Sequence, residues 1–260
     1  MIFRYINKTR LILILLLHIC WSQIEQAYPP LYLVSIPTAG TLSRGTYTFE
    51  ALLSKGGGIT PKLSVGFTDN FSFGVSFGIQ KLVGDEKMDY NKTTPEVQIK
   101  YRVYEESQSM PALVLGLDTQ GRGNFNVDNS TNRYDQKAWG MYIVFSKNWS
   151  ALGNLGLHGG LSKSISENDD GDRDANVFFG IDKELNRSFS LLLEYDAALN
   201  DNEYELNDIT FGKGKGYLNA GVRWAVAKTL MLEINFNDIN KNTDAEYTDR
   251  EIKIIYSETF

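Results

Sequence analysis

The sequence is short of the residues on which most chemistry depends: one cysteine, two histidines and six prolines among 260 residues. The single cysteine, Cys20, and one of the histidines, His18, fall in a stretch that reads as an export signal. A processed chain would then have no thiol, which excludes disulfides and cysteine metal sites. It would keep only His158, which narrows the scope for histidine-based catalysis. Beyond the first 20 residues no apolar run approaches the roughly 20 residues a membrane helix requires. A basic patch is also missing: the net charge is -6, against the cationic surface that phosphate contacts need, so nucleic-acid binding is not expected.

What is present at the start is Arg4, Lys8 and Arg10 before an apolar run from Leu11 to Ile19, then Cys20 and Ser22 as small residues at a cleavage site. Residues 1–22 are therefore expected to be a signal peptide cut after Ser22. Removing its three positive charges takes the net charge from -6 to -9. The rival reading, a lipoprotein signal at Leu17-His18-Ile19-Cys20, places Ile19 where a small residue is expected.

The rest of the chain is rich in two-residue alternation. Phe71, Phe73, Val75, Phe77 and Ile79 are separated by Ser72, Gly74, Ser76 and Gly78, which gives a strand one greasy face. The same pattern recurs at 63–67, 97–103, 113–117, 141–145, 155–161, 177–181, 191–195, 218–224 and 230–236. Adding 45–54 and 250–257 gives about twelve strands. A soluble sandwich would alternate too, but the connections separate the two readings. Tight links at 69–70, 105–110, 149–153, 186–187 and 227–228 alternate with long ones at 81–94, 119–137, 164–174, 198–215 and 238–249. Short turns on one side and long loops on the other are the habit of outer-membrane barrels. The expected fold is all-β: a transmembrane antiparallel up-and-down barrel over 45–260, preceded by a periplasmic N-terminal segment, 23–44, that Pro29, Pro30, Pro37 and Gly40 break up. Ile252, Ile254, Tyr256 and Phe260 share one face of the last strand and look like a barrel-assembly signal, with Glu258 as the departure.

The polar faces supply the candidate site residues. Lys100, Arg102, Asp182, Glu194, Asp196, Arg223 and Glu233 should line the lumen as a balanced charge cluster, with Glu194 and Asp196 meeting Arg223, Lys100 or Arg102. Asp170, Asp172 and Asp174 form an acidic loop tip that offers at most weak divalent-cation binding, because Ala175 stands where a calcium loop needs glycine. His158 and Ser162 share a face, but roughly 13 Å of strand separates them at about 3.3 Å per residue. That is too far for a base and its nucleophile, so no catalytic residue, metal or cofactor is expected.

Four segments resemble YjbH-like outer-membrane barrels associated with exopolysaccharide export: Ile36-Pro37-Thr38-Ala39-Gly40 followed by Gly45, Pro111 to Leu117, Ser146-Lys147, and Leu193-Glu194-Tyr195-Asp196. The typical member of that family is much longer than this chain. The resemblance implies a non-enzymatic barrel serving as a narrow, porin-like conduit or accessory in polysaccharide export. Its expected partners are outer-membrane lipid and lipopolysaccharide, the barrel-assembly machinery and a polysaccharide. Two alternatives stand beside it: a phospholipase-like lipid hydrolase, and a structural or adhesive barrel binding through its extracellular loops, 119–137 foremost.

Overall fold

The computed structural model describes residues 29–128, 131–150, 153–206, 209–243 and 247–260. The expected signal peptide, 1–22, and residues 23–28 lie outside these.

Twelve antiparallel strands form the wall: β1 (Thr46–Ser54), β2 (Gly58–Thr68), β3 (Phe71–Ser76), β4 (Glu96–Tyr104), β5 (Ala112–Asp118), β6 (Gly140–Ser150), β7 (Asn154–Lys163), β8 (Asn176–Glu184), β9 (Phe189–Asp196), β10 (Tyr217–Ala225), β11 (Leu230–Asn237) and β12 (Asp249–Thr259). Each pairs with its sequence neighbours, and β1 also pairs with β12 from Thr46↔Thr259 to Leu53↔Ile252, so the sheet has no free edge. Closure of this kind satisfies every strand's main-chain groups without water, which a hydrocarbon surrounding demands.

The alternation resolves into two walls. Phe49, Leu63, Val75, Tyr101, Leu115, Phe145, Leu157, Phe179, Leu193, Val222, Ile234 and Ile254 project outward and are exposed to the surroundings. Their neighbours Glu50, Ser64, Gln98, Lys100, Ser146, His158, Glu194, Arg223 and Glu233 are buried inside. Near the short-turn end, the Phe67 and Phe71 rings lie 6.1 Å apart and those of Phe189 and Trp224 stack at 5.8 Å, as in an interfacial aromatic girdle. An apolar outer face around a closed, polar interior identifies a transmembrane barrel of the outer membrane.

Five short links gather at one end with the start of β1 and the end of β12, while 77–95, 119–139, 164–175, 197–216 and 238–248 gather at the other, joined by the brief turn 55–57. The rule for such barrels puts the short turns on the periplasmic side. Three of the long connections have structure of their own: a short pairing of Ile79–Gln80 with Asp89–Tyr90, a hairpin of Arg122–Asp128 with Thr131–Gln136, and one of Asn202–Leu206 with Ile209–Lys213. Ile252, Ile254, Tyr256 and Phe260 all face outward. Glu258, on the same face, is satisfied by the hydroxyls of Tyr47 (3.1 Å) and Tyr256 (2.6 Å).

Residues 29–44 belong to the segment, 23–44, expected on the periplasmic side. They enter from the short-turn end, turn back at Leu33–Ile36, where the Leu33 N–H donates to the Ile36 carbonyl at 3.0 Å, and lie inside the wall as a plug. Leu33 and Ile36 are fully buried and Val34 nearly so. They pack with Ala112, Val114, Tyr142, Val144, Phe178 and Leu192, all from the inner face of β5, β6, β8 and β9. Burying an aliphatic side chain of this size contributes roughly 1.5–3 kcal/mol. The wall makes room with small residues: a Cβ on Gly180 would sit 2.7 Å from Ile36 Cδ1, and one on Gly221 3.2 Å from Val34 Cγ2.

Candidate functional site

The plug is held through its main chain. Glu194, inward on β9, accepts the N–H groups of Val34 (2.9 Å), Ser35 (2.9 Å) and Ile36 (3.1 Å), together with the Ser35 hydroxyl and the Asn219 side-chain amide (2.9 Å). One carboxylate thus collects three successive amides at the plug's tip, an anion held in a concavity of backbone donors. The plug's carbonyls are met by cations. Lys100 Nζ donates to Leu31, to Thr38 at 2.9 Å and to Gly40 at 3.1 Å, Lys253 Nζ to Val34 at 3.0 Å, and Arg223 Nη2 to Tyr32 at 2.9 Å. The Trp139 indole N–H donates to the Ser35 carbonyl at 3.1 Å. Among the described residues, no hydrogen bond joins the main chain of residues 30–40 to the main chain of a wall strand. The plug is therefore docked without being woven into the sheet.

This arrangement redistributes the expected charge cluster. Lys100, Asp182, Glu194, Arg223 and Glu233 are buried inside the barrel. Arg223 Nε and Lys253 pair with Glu233 at 2.6 and 3.0 Å. Among the described residues Glu194 and Asp196 are not seen paired with Lys100, Arg102 or Arg223: Glu194, Lys100 and Arg223 bond the plug, while Arg102 and Asp196 lie at opposite ends of the barrel. Arg102 sits at the short-turn rim on the Asp69 carbonyl (2.8 Å) and the Asn70 side chain (3.3 Å). Asp196 is at the other end, bound to Asn176 at 2.5 Å and to the Ala198 N–H at 3.0 Å.

The long-loop end carries a cap. Arg133 and Tyr134 of the first loop hairpin are fully buried. Arg133 reaches Asp170 at 2.9 Å and Asp201 at 2.6 Å, and Lys137 reaches Asp170 at 2.6 Å. Asp170 is thus an ion-pair partner for the hairpin, and within the loop the Asp170 and Asp172 carboxylates accept the main-chain N–H groups of Asp172 and Asp174. Among the described residues no group of carboxylates, histidines or cysteines is arranged to hold a metal. Burial pushes the Glu167 carboxyl up to about 7, against the pull of Lys92, the Ala138 and Tyr134 amides, and Arg133. Burial also raises Asp201, although Arg133 pulls the other way. Arg122 joins cap to plug and wall, donating to the Val34 carbonyl at 3.3 Å and pairing with Glu251.

Below the plug a vestibule of about 800 Å³ opens at the short-turn end, lined by Pro30, Ala39, Arg102, Glu106, Asn148, Glu184 and Arg187 among others. A separate space of about 80 Å³ remains between the plug, β1, β2 and the cap. In the vestibule wall His158 meets Ser146 instead of Ser162. The strand register sets Ser146 opposite His158, with Nδ1 2.7 Å from the Ser146 hydroxyl and Nε2 2.7 Å from Asp182 Oδ1. Sequence spacing on a single strand could not reveal this partner, which lies across the β6–β7 hairpin.

No family model and no curated protein matches the chain. Among solved structures it is similar to the KdgM porin, with 10% identity, 81% of this chain and 98% of that one covered, and a TM-score of 0.48. It is similar also to the KdgM porin in complex with disordered oligogalacturonate (11%, 81% and 98%, 0.49) and to the NanC porin (10%, 82% and 99%, 0.42). Identities of this size assign no shared activity.

Proposed function

We propose that the protein is a gated outer-membrane conduit whose resting state is closed by residues 29–44. The carrying observation is the way the plug is held. It makes side-chain hydrogen bonds to the wall but no strand pairing, and both its arms leave through the same end, so it can withdraw while all twelve wall strands stay paired. Arg122, touching both plug and cap, supports a second barrier that responds to the first. A polysaccharide is the cargo we propose, on the YjbH-like resemblance of the plug and wall segments. The vestibule's amides, hydroxyls and charged groups suit a hydroxyl-rich chain.

Planar-bilayer recording tests the reading. Wild-type protein should stay mostly closed, and replacing Leu31 to Leu42 by a Gly/Ser segment of equal length should raise conductance severalfold. No conductance from the folded, unplugged variant would remove the conduit. An equally open wild type would remove the gate.

A further inference from the structure

A conduit has no evident need for a serine, a histidine and an aspartate joined in series, yet the vestibule wall holds one such chain. Ser146 on β6, His158 on β7 and Asp182 on β8 are inward residues of three adjacent strands. The Ser146 Oγ to His158 Nδ1 and His158 Nε2 to Asp182 Oδ1 distances are both 2.7 Å. An ionised carboxylate only accepts, so Nε2 carries the hydrogen and Nδ1 is left as the base facing the hydroxyl. The ring nitrogens are exchanged relative to the familiar serine-hydrolase order, but the roles are intact, and such constellations are defined by geometry and role. All three side chains border the 800 Å³ vestibule. The N–H of Ala39, on the plug, donates to Ser146 Oγ at 2.8 Å and so helps to fix the hydroxyl beside the ring.

We propose that Ser146, His158 and Asp182 form a hydrolytic site for short acyl esters of polar alcohols, facing the short-turn end of the barrel. Ser146 Oγ adds to the ester carbonyl carbon and passes its proton to His158 Nδ1. The bond from that carbon to the alcohol oxygen breaks, and the alcohol leaves with the proton from His158. Water then attacks the acyl-serine, giving a proton to His158. The bond to Oγ breaks, Oγ takes the proton back, and the carboxylic acid departs. Asp182 takes no proton and fixes the ring. The substrate class follows from the lining. Ala39, Ala112 and Pro30 offer only small apolar surfaces, no aromatic side chain borders the space among the described residues, and Arg102, Arg187 and Arg223 favour a polar carrier.

The test uses the full barrel folded in detergent, with p-nitrophenyl acetate as substrate and diisopropyl fluorophosphate as covalent probe. Wild-type protein should gain one phosphoryl adduct, mapped by mass spectrometry to Ser146. Ser146→Ala should abolish the adduct and lower turnover by roughly 10³-fold, and His158→Gln by about 10²- to 10⁴-fold. Heat-modifiable migration checks that both variants stay folded, and the wild-type labelling result does not depend on them. Folded wild type without an adduct at Ser146, or Ser146→Ala turning over as fast as wild type, overturns the proposal. Conductance is a separate readout, so loss of the hydrolytic site would leave the conduit reading standing, and the reverse also holds.

Discussion

Replacing Glu194 by alanine isolates what holds the plug. The carboxylate is the shared acceptor for the Val34, Ser35 and Ile36 amides, the Ser35 hydroxyl and Asn219. Its loss leaves three amides inside the barrel without this acceptor, each costing about 1–3 kcal/mol when no partner is left. Removing a buried charge recovers part of that, since the carboxylate itself is costly to desolvate. A net loosening of roughly 3 kcal/mol is the low end of the range, equivalent to about 10²-fold in an equilibrium constant. The wall keeps all its strand pairs, so the loss should appear as local opening of the plug while the barrel stays closed. Hydrogen exchange followed by mass spectrometry on the folded protein reads this directly. Peptides covering Tyr32 to Ile36 should exchange about 10²-fold faster in Glu194→Ala, those from β6 to β8 should not change, and Glu194→Gln should fall between. Unaltered protection of Val34 to Ile36 in a folded Glu194→Ala barrel would refute the idea that this carboxylate clamps the tip.

Four further outcomes follow from the cap, the wall and the plug's bed. Glu167 binds its proton more tightly in the closed cap, about 7 against an ordinary 4.5. Cap stability should therefore fall by ~3 kcal/mol as pH rises from about 4.5 to 7 and then level off. Exchange of the Arg122–Gln136 hairpin, corrected for intrinsic rates, should rise across that window, and Glu167→Gln should flatten the profile; a pH-independent wild type would dismiss this account. Arg133→Ala breaks a buried pairing with Asp170 and Asp201, worth roughly 3–5 kcal/mol, so limited proteolysis should cut the hairpin first while the barrel core survives. On the lipid face, Leu193→Arg should cost about 2–4 kcal/mol in unfolding from bilayers; a cost near zero would mean that Leu193 does not face hydrocarbon. On the inner face, Gly180→Val drives a branched side chain against Leu33 and Ile36 and should release the plug without opening the seam; unchanged plug protection would show that the fit there is loose.

The wall was legible because its physics is local. Alternation at 71–79 or 230–236 needs no knowledge of distant residues, and the sorting of short and long connections follows from it. The plug was not, because its partners are remote: Glu194 lies about 160 residues from the amides it accepts, and Pro29, Pro30, Pro37 and Gly40 only announce broken structure. One signal was available. Leu113-Val114-Leu115, Ile143-Val144-Phe145, Phe178-Phe179 and Leu191-Leu192-Leu193 are apolar on both faces, which a water-filled lumen does not explain and a packed interior does. Ser146 and His158 share inward parity in the alternation, but their meeting depends on the pairing register, with Ser150 opposite Asn154 and Ser146 opposite His158. Placing the turn one residue earlier moves the partner by two positions and hides the contact.

The hairpin shape of residues 29–44 bears on the order in which the molecule can be built. Both arms hang from one rim, and the second runs through Gly45 directly into the strand that forms the seam with β12. Nothing has to be threaded through a finished ring, so the last pairing between β1 and β12 can precede docking of the segment. Maturation then divides into a step that makes a hollow cylinder and a later one that fills it.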